Sequence, residues 1–130
     1  MALESRELLA EAIKYFEKVM KVHEKVDAVE FVEADRYKAI FKIYLADGRL
    51  LVTYIADVYV LTAADVREIL SEYGDIDCIV VVSNWDHYTS DAKNVAKSMG
   101  IGVYRLKEFM KAINYNGRMF LDTGTANSSE

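Results

Sequence analysis

Apolar residues recur at three- and four-residue spacing from the start of the chain, and this period predicts a long amphipathic helix over residues 3–26. Phe16 and Met20 belong to its apolar stripe, and His23 stands at the edge of the stripe. Acidic residues come early in this helix and lysines late, the order that suits the helix macrodipole. We interpret the lysines as a solvated face. We interpret His23 as a packed residue, because no Cys or second His lies four positions away to complete a metal pair.

The pattern then changes to alternation, which predicts a β section. Ala28–Glu33 and Tyr37–Leu45 alternate between apolar and polar residues. The pair Asp47-Gly48 predicts a hairpin turn, since glycine supplies the positive φ that a tight turn needs. Leu50–Ala56 is apolar on both faces, as expected of a central strand.

The second half alternates helices with short apolar strands. Thr62–Asp65 has the pattern of a capping box, and it opens a helix that runs to about Tyr73 and ends at Gly74 in the left-handed conformation. Cys78–Val82 is continuous, β-branched and short, which is typical of a buried parallel strand. A helix over Thr89–Met99, a strand over Ile101–Tyr104 and a helix over Leu106–Tyr115 follow.

A strand, a crossover helix and a second strand imply parallel pairing. The predicted fold class is therefore α/β: a single three-layer domain with an N-terminal helix, β-hairpin strands and then a βαβα unit around a mixed sheet. Residues 1–117 are predicted to form this domain. Residues 118–130 lose the pattern and are predicted to be a flexible C-terminal tail.

Composition narrows the class of protein. The 130 residues are 52% hydrophobic and 28% charged, a globular balance, and no apolar run reaches the roughly 20 residues of a membrane span. The net charge of −5 argues against a nonspecific nucleic-acid coat but leaves a local basic patch open. The single Cys78 cannot form an intrachain disulfide, so we expect a cytoplasmic location. The many Glu and Lys residues and the absence of Gln are typical of thermophiles, whereas the absence of Pro points the other way.

Several segments of the second half carry a resemblance to a known family: Leu50–Val52, Thr62–Ile69, Ile79–Asn84, Ser90–Ala96, Gly100–Val103 and Leu106–Phe109. Together they resemble the restriction-endonuclease-like superfamily, in particular its Mrr-type PD-(D/E)xK nucleases. The preceding helix and hairpin stand in the order usual for that fold, so the resemblance covers most of the chain. It implies a restriction-endonuclease-like mixed sheet and a role connected with nucleic acids.

The catalytic signature of that family is missing. Its motif needs an acid on one hairpin strand and Glu-x-Lys on the next, so that two carboxylates hold Mg²⁺ and the lysine activates water. Residues 51–56 and 39–44, which occupy those strands, contain no acid. No catalytic residue, metal ligand or cofactor is therefore predicted. The exception is a divergent Mg²⁺-dependent nuclease whose acids have migrated to nearby positions, namely Glu30, Glu33, Asp35, Asp47 or Asp57, with Lys38 or Lys42 as its lysine.

The loop after Cys78–Val82 is the second candidate site, because ligands of open α/β sheets gather outside the carboxyl ends of strands. Its predicted binding residues, together with one lysine of the next helix, are Asn84, Trp85, His87, Tyr88 and Lys93. Aromatic rings in such a loop stack on bases, and a lysine near a helix start favours an anion. The alternative is that Trp85 and its neighbours only cover the sheet edge. Hydrolase chemistry is disfavoured, because no glycine flanks Ser83 to form a nucleophile elbow.

The leading interpretation is a non-catalytic module on the nuclease-like fold that binds DNA, RNA or another protein, including a second copy of itself. The divergent Mg²⁺-dependent nuclease is one alternative. A structural interaction subunit without any nucleic-acid role is the other. The acidic charge favours the last of these, whereas the resemblance favours nucleic-acid binding.

Overall fold

A computed structural model describes residues 2–34, 38–58, 60–82 and 87–124, with only the backbone course of residues 2–9. The helices are α1 (Ala2–Lys21), α2 (Ala63–Glu72), α3 (Ser90–Ser98), α4 (Leu106–Ala112) and α5 (Gly117–Asp122). The strands are β1 (Val26–Ala34), β2 (Lys38–Leu45), β3 (Leu50–Ala56), β4 (Val60–Leu61), β5 (Cys78–Val81), β6 (His87–Tyr88) and β7 (Gly102–Arg105). None of the helices described is long and apolar enough to cross a membrane.

Five strands form one mixed sheet in the order β1-β2-β3-β5-β7. The first three pair antiparallel, and β3, β5 and β7 run parallel. The short strands β4 and β6 pair with each other in a separate parallel ribbon. This arrangement confirms the predicted fold class. Strands β3 and β5 lie side by side within the sheet, as expected because they are two of the most apolar segments of the chain.

Helices cover both faces of the sheet, as the three-layer prediction requires. On one face α1, α4 and α5 bury a core whose side chains include Phe16, Phe41, Phe109 and Phe120. On the other face α2 and α3 bury Val66, Ile69, Ala92 and Ala96 against the alternate residues of the same strands. Opposite faces of β3 and β5 are therefore both buried, which explains their unbroken apolar sequence.

Local signals set most element boundaries. Thr62 and Asp65 form the predicted capping box of α2, with both reciprocal hydrogen bonds present. Gly48 turns the hairpin with φ of 95°. The first helix ends at Lys21, short of residue 26, and His23 instead bonds the carbonyl of Met110 through Nε2 at 2.9 Å.

Two expectations need correction. Gly74 does not have the positive φ predicted for it, because the turn that ends α2 is closed by Tyr73, whose N–H donates to the Ile69 carbonyl. Ordered packing also extends past residue 117. Helix α5 places Phe120 in the core with 6% of its surface exposed, so the tail predicted to begin at residue 118 holds a packed turn of helix.

Candidate functional site

Strand β3 occupies the position to which the family resemblance assigns Glu-x-Lys. Its side chains Val52, Tyr54 and Ala56 point to the α2–α3 face, and Leu51 and Ile55 point to the opposite face. Thr53 on this strand is fully buried, where its hydroxyl donates to the Leu51 carbonyl and lies 3.4 Å from the Cys78 thiol. Burial raises the pKa of that thiol to about 12, so Cys78 is held as the neutral thiol. The strand therefore presents packing groups where a nuclease presents a carboxylate and an ammonium.

The acids around the hairpin are engaged in structural contacts. Asp47 accepts from the backbone N–H of Arg49 and pairs with its guanidinium at 2.9 Å, which holds the pKa of the Asp47 carboxyl below its ordinary value and closes the turn. Glu30 accepts a hydrogen bond from the Tyr44 hydroxyl at 2.8 Å. Glu33 pairs with Lys38 at 3.5 Å. The remaining candidate on this hairpin, Asp35, lies outside the described residues.

A groove of about 460 Å³ opens beside the carboxyl end of β3, between that strand and α2. Its acidic lining comes from Asp57, Asp65, Glu68 and Glu72, and the rest of its described lining is apolar or tyrosine. Partial burial raises the pKa of the Asp57 carboxyl. No Lys, Arg or His is among the described residues that line the groove, so the lining offers a phosphate group carboxylates and no cation.

The alternative nuclease interpretation requires residues that fit Mg²⁺, which binds through carboxylates held in near-octahedral geometry. Within the described ranges, no three His, Cys, Asp or Glu side chains converge closely enough to hold a metal ion. The four groove acids share a surface without forming such a cluster, and Asp65 already bonds the Thr62 N–H. The described residues thus include no such cluster beside β3.

The loop predicted to bind ligand is only partly described. Asn84 and Trp85 lie outside the described residues, so their predicted roles remain predictions. His87 is half-buried in β6, which pairs with β4.

Tyr88 does not have the partial exposure predicted for a stacking residue. Only 1% of its surface is exposed, and its hydroxyl donates to Glu108 Oε1 at 2.7 Å. Burial and this carboxylate both raise the pKa of the Tyr88 phenol. The ring is enclosed because β4 and β6 pair and draw it onto the α2–α3 face of the sheet, and a base therefore cannot stack on it.

Lys93 is also withdrawn from the surface, with 6% of its surface exposed. Its ammonium donates to the carbonyls of Val103 at 2.7 Å and Thr123 at 2.5 Å. The same ammonium lies over the rings of Tyr104 at 4.4 Å and Tyr88 at 5.6 Å from their centroids. The prediction that Lys93 binds an anion is therefore wrong for this structure, because its ammonium contacts carbonyls and aromatic rings of the chain itself.

The polar group that surrounds Lys93 is not among the residues predicted from the sequence. Tyr104 and Glu108 were assigned only to a strand and a helix, yet Tyr104 donates to the Phe120 carbonyl and Glu108 accepts from both Tyr88 and the Arg105 N–H. The available signal was a lysine at an inward position of a helix whose neighbours, Ala92 and Ala96, are small. An inward lysine needs acceptors, and the closest strand and helix supply them.

Comparisons with known proteins give one distant likeness of fold. No protein-family model and no curated protein matches the chain. Among solved structures, EndoMS in its apo form aligns with a TM-score of 0.41 and 18% identity, over 72% of this chain. This chain spans 44% of the EndoMS chain. The fold is therefore defined by the order and pairing of its own strands and helices.

Proposed function

We propose that this chain is a non-catalytic binding module on a nuclease-like fold, and that its partner is a protein. The observation that carries the proposal is the composition of β3 and β2. Their inward positions hold apolar residues and one buried threonine where metal-dependent phosphodiester cleavage needs paired carboxylates and a lysine. Without carboxylates to seat a metal, the extra negative charge of the transition state has no stabilising partner.

The charge distribution supports a protein over a nucleic acid. Nucleic-acid binding depends on Lys and Arg that neutralise phosphates. The groove between β3 and α2 has an acidic lining, and the chain as a whole carries a net charge of −5. Two of the five residues predicted to bind nucleic acid, Tyr88 and Lys93, have their functional groups bonded inside the domain.

A cleavage assay tests the absence of catalysis. The full chain is incubated with supercoiled plasmid or single-stranded DNA in Mg²⁺ or Mn²⁺, and nicked and linear products are quantified. We expect no cleavage above a buffer control. Metal-dependent cleavage that disappears in Asp57→Ala or Glu33→Ala would overturn the proposal, since both acids belong to the set that the divergent-nuclease alternative would use. Glu24→Ala, on the connection before β1, is the matched control for loss of one surface charge.

A binding titration tests the class of partner. Fluorescence anisotropy with labelled DNA and RNA oligonucleotides is measured at low and physiological salt. We expect no saturable binding at physiological salt. Saturable binding that weakens by roughly tenfold in Trp85→Ala, the loss expected when one stacking platform is removed, would favour the nucleic-acid alternative.

A further inference from the structure

The C-terminal helix α5 packs beside one edge of the sheet, and the buried amine of Lys93 contacts both the edge strand and the end of this helix. Strand β7 is last in the sheet order, and among the described strands it pairs only with β5. Its other side faces Lys93, which donates to the Val103 carbonyl of β7 and to the Thr123 carbonyl just after α5. One side chain thus joins the edge strand to the end of the C-terminal helix.

Other described contacts of α5 include the packing of Phe120 and Leu121 in the core that α1 and α4 cover. Phe120 is buried against Tyr104, with ring centroids 5.3 Å apart, and the Tyr104 hydroxyl donates to the Phe120 carbonyl. Lys97 pairs with Asp122 at 2.6 Å on the surface. Helix α5 is six residues long, has one buried side chain and lies near the end of the described chain, and peripheral segments of this kind can open locally without global unfolding.

We propose that Lys93 makes the docking of α5 proton-linked, so that protonation of its amine favours release of the helix and deprotonation favours closure. The geometry gives the reason. In the closed form the amine is held by two carbonyls and two tyrosine faces, with no carboxylate within ion-pair distance among the described residues. Release of α5 removes the Thr123 carbonyl and admits water, which solvates the ammonium far better than this enclosure does.

The charged and titratable groups that face Lys93 come from every element packed around it. They are Lys97 on α3, Tyr88 on β6, Tyr104 and Arg105 at β7, Glu108 on α4 and Asp122 on α5. Burial and, secondarily, Lys97 lower the pKa of Lys93 to about 8, although Glu108 and Asp122 act in the opposite direction. Burial raises the pKa of both phenols, so in the closed form neither tyrosine loses its proton near this pH.

The pH dependence of α5 docking is determined by the difference between the pKa of Lys93 in the closed form and in the open form. The closed form binds the Lys93 proton more weakly than the open form, in which the amine is solvated and has a pKa near its ordinary 10.5. Between pH 8 and that value the open form holds the extra proton. Raising the pH through this window therefore stabilises closure, up to about tenfold per pH unit. Below pH 8 the amine is charged in both forms and the dependence levels off.

Limited proteolysis of the full chain measures the opening. Trypsin cleavage after Arg118, an exposed residue of α5, is followed by mass spectrometry at pH 8.0 and pH 9.5, at low trypsin concentration where the rate follows the open population. Each rate is divided by that of a synthetic peptide of residues 114–122, which corrects for the pH dependence of trypsin. We expect the normalised rate to fall about tenfold from the lower to the higher pH.

Two variants identify the group responsible. Lys93→Met should abolish the pH dependence, whereas Lys97→Met, which removes the neighbouring surface charge, should keep it. An equal fall in Lys93→Met and in the unchanged chain would overturn the proposal. If Lys93→Met fails to fold, NMR titration of the Lys93 Cε–Hε signals in the unchanged chain decides the matter. A midpoint near pH 8 supports the proposal, and a midpoint near the ordinary value for lysine overturns it.

Discussion

The two edges of the sheet are built in opposite ways. Strand β1 is open: none of its nine residues is buried, and Phe31 and Val32 expose 51% and 44% of their surfaces. Strand β7 is closed, with Gly102, Val103 and Tyr104 all buried, and α3, α4, α5 and β6 all contact it. An unpaired strand edge invites association with other chains, so each edge needs protection of some kind.

The protection differs in kind. Along β1 the protection is local, since Asp27, Glu30 and Glu33 add negative charge and the pairing with β2 is interrupted by two irregularities, one at Asp27 and one at Val32. Bulges and charges of this kind discourage an added strand. Along β7 the protection is tertiary and comes from the helices packed against it, α5 among them, and from Lys93. An edge protected by its own sequence therefore keeps its protection when a tertiary contact is lost. An edge protected by a docked segment depends on every contact that holds the segment.

Truncating a phenylalanine at each edge is expected to give the largest difference. Phe120→Ala should lower the free energy of unfolding by about 3 kcal/mol, because it removes a buried ring that α5 needs for docking. Phe31→Ala removes a ring that is half exposed, and we expect a cost of about 1 kcal/mol or less. Urea denaturation of both variants checks the pair. Equal losses would show that β1 is as closed as β7.

Removing one tyrosine hydroxyl at each edge gives a smaller difference. Tyr88→Phe removes the bond to Glu108 in a buried setting, and we expect a loss of about 2 kcal/mol, in the range for hydrogen bonds to charged groups. Tyr44→Phe removes the corresponding bond to Glu30 on the open side, where water replaces it, and thermal melting should show no measurable change. A larger loss in Tyr44→Phe than in Tyr88→Phe would contradict the comparison.

The parts of the fold that the sequence predicts are those determined by neighbours along the chain. The capping box at Thr62, the turn at Gly48 and the buried strands β3 and β5 follow from short-range signals, and the structure has each of them. The burial of Tyr88 depends instead on pairing between β4 and β6, which lie more than twenty residues apart in the sequence. Two-residue strands carry no readable period, and polar neighbours made Tyr88 look exposed.

The burial of α5 and of Lys93 could not be predicted from the sequence either. A single turn of helix around Phe120 has too few apolar residues to reveal a period, so the segment resembled a tail. Lys93 looked like a surface lysine because its acceptors, the carbonyls of Val103 and Thr123, are backbone groups that any sequence supplies. Neither the closed edge at β7 nor the contacts of the buried Lys93 amine can be predicted from the local pattern of apolar and polar residues.

Amide hydrogen exchange, resolved by residue on dilute protein, tests the contrast between the two edges most directly. We expect the amides of Val103 and Tyr104 in β7 to exchange at least tenfold more slowly, after correction for intrinsic rates, than those of Phe31–Ala34 in β1. The reason is that β7 must lose α5 or unfold before water reaches it, whereas β1 is in contact with water throughout its length. Equal protection of the two strands, or stronger protection of β1, would contradict the assignment of one open and one closed edge.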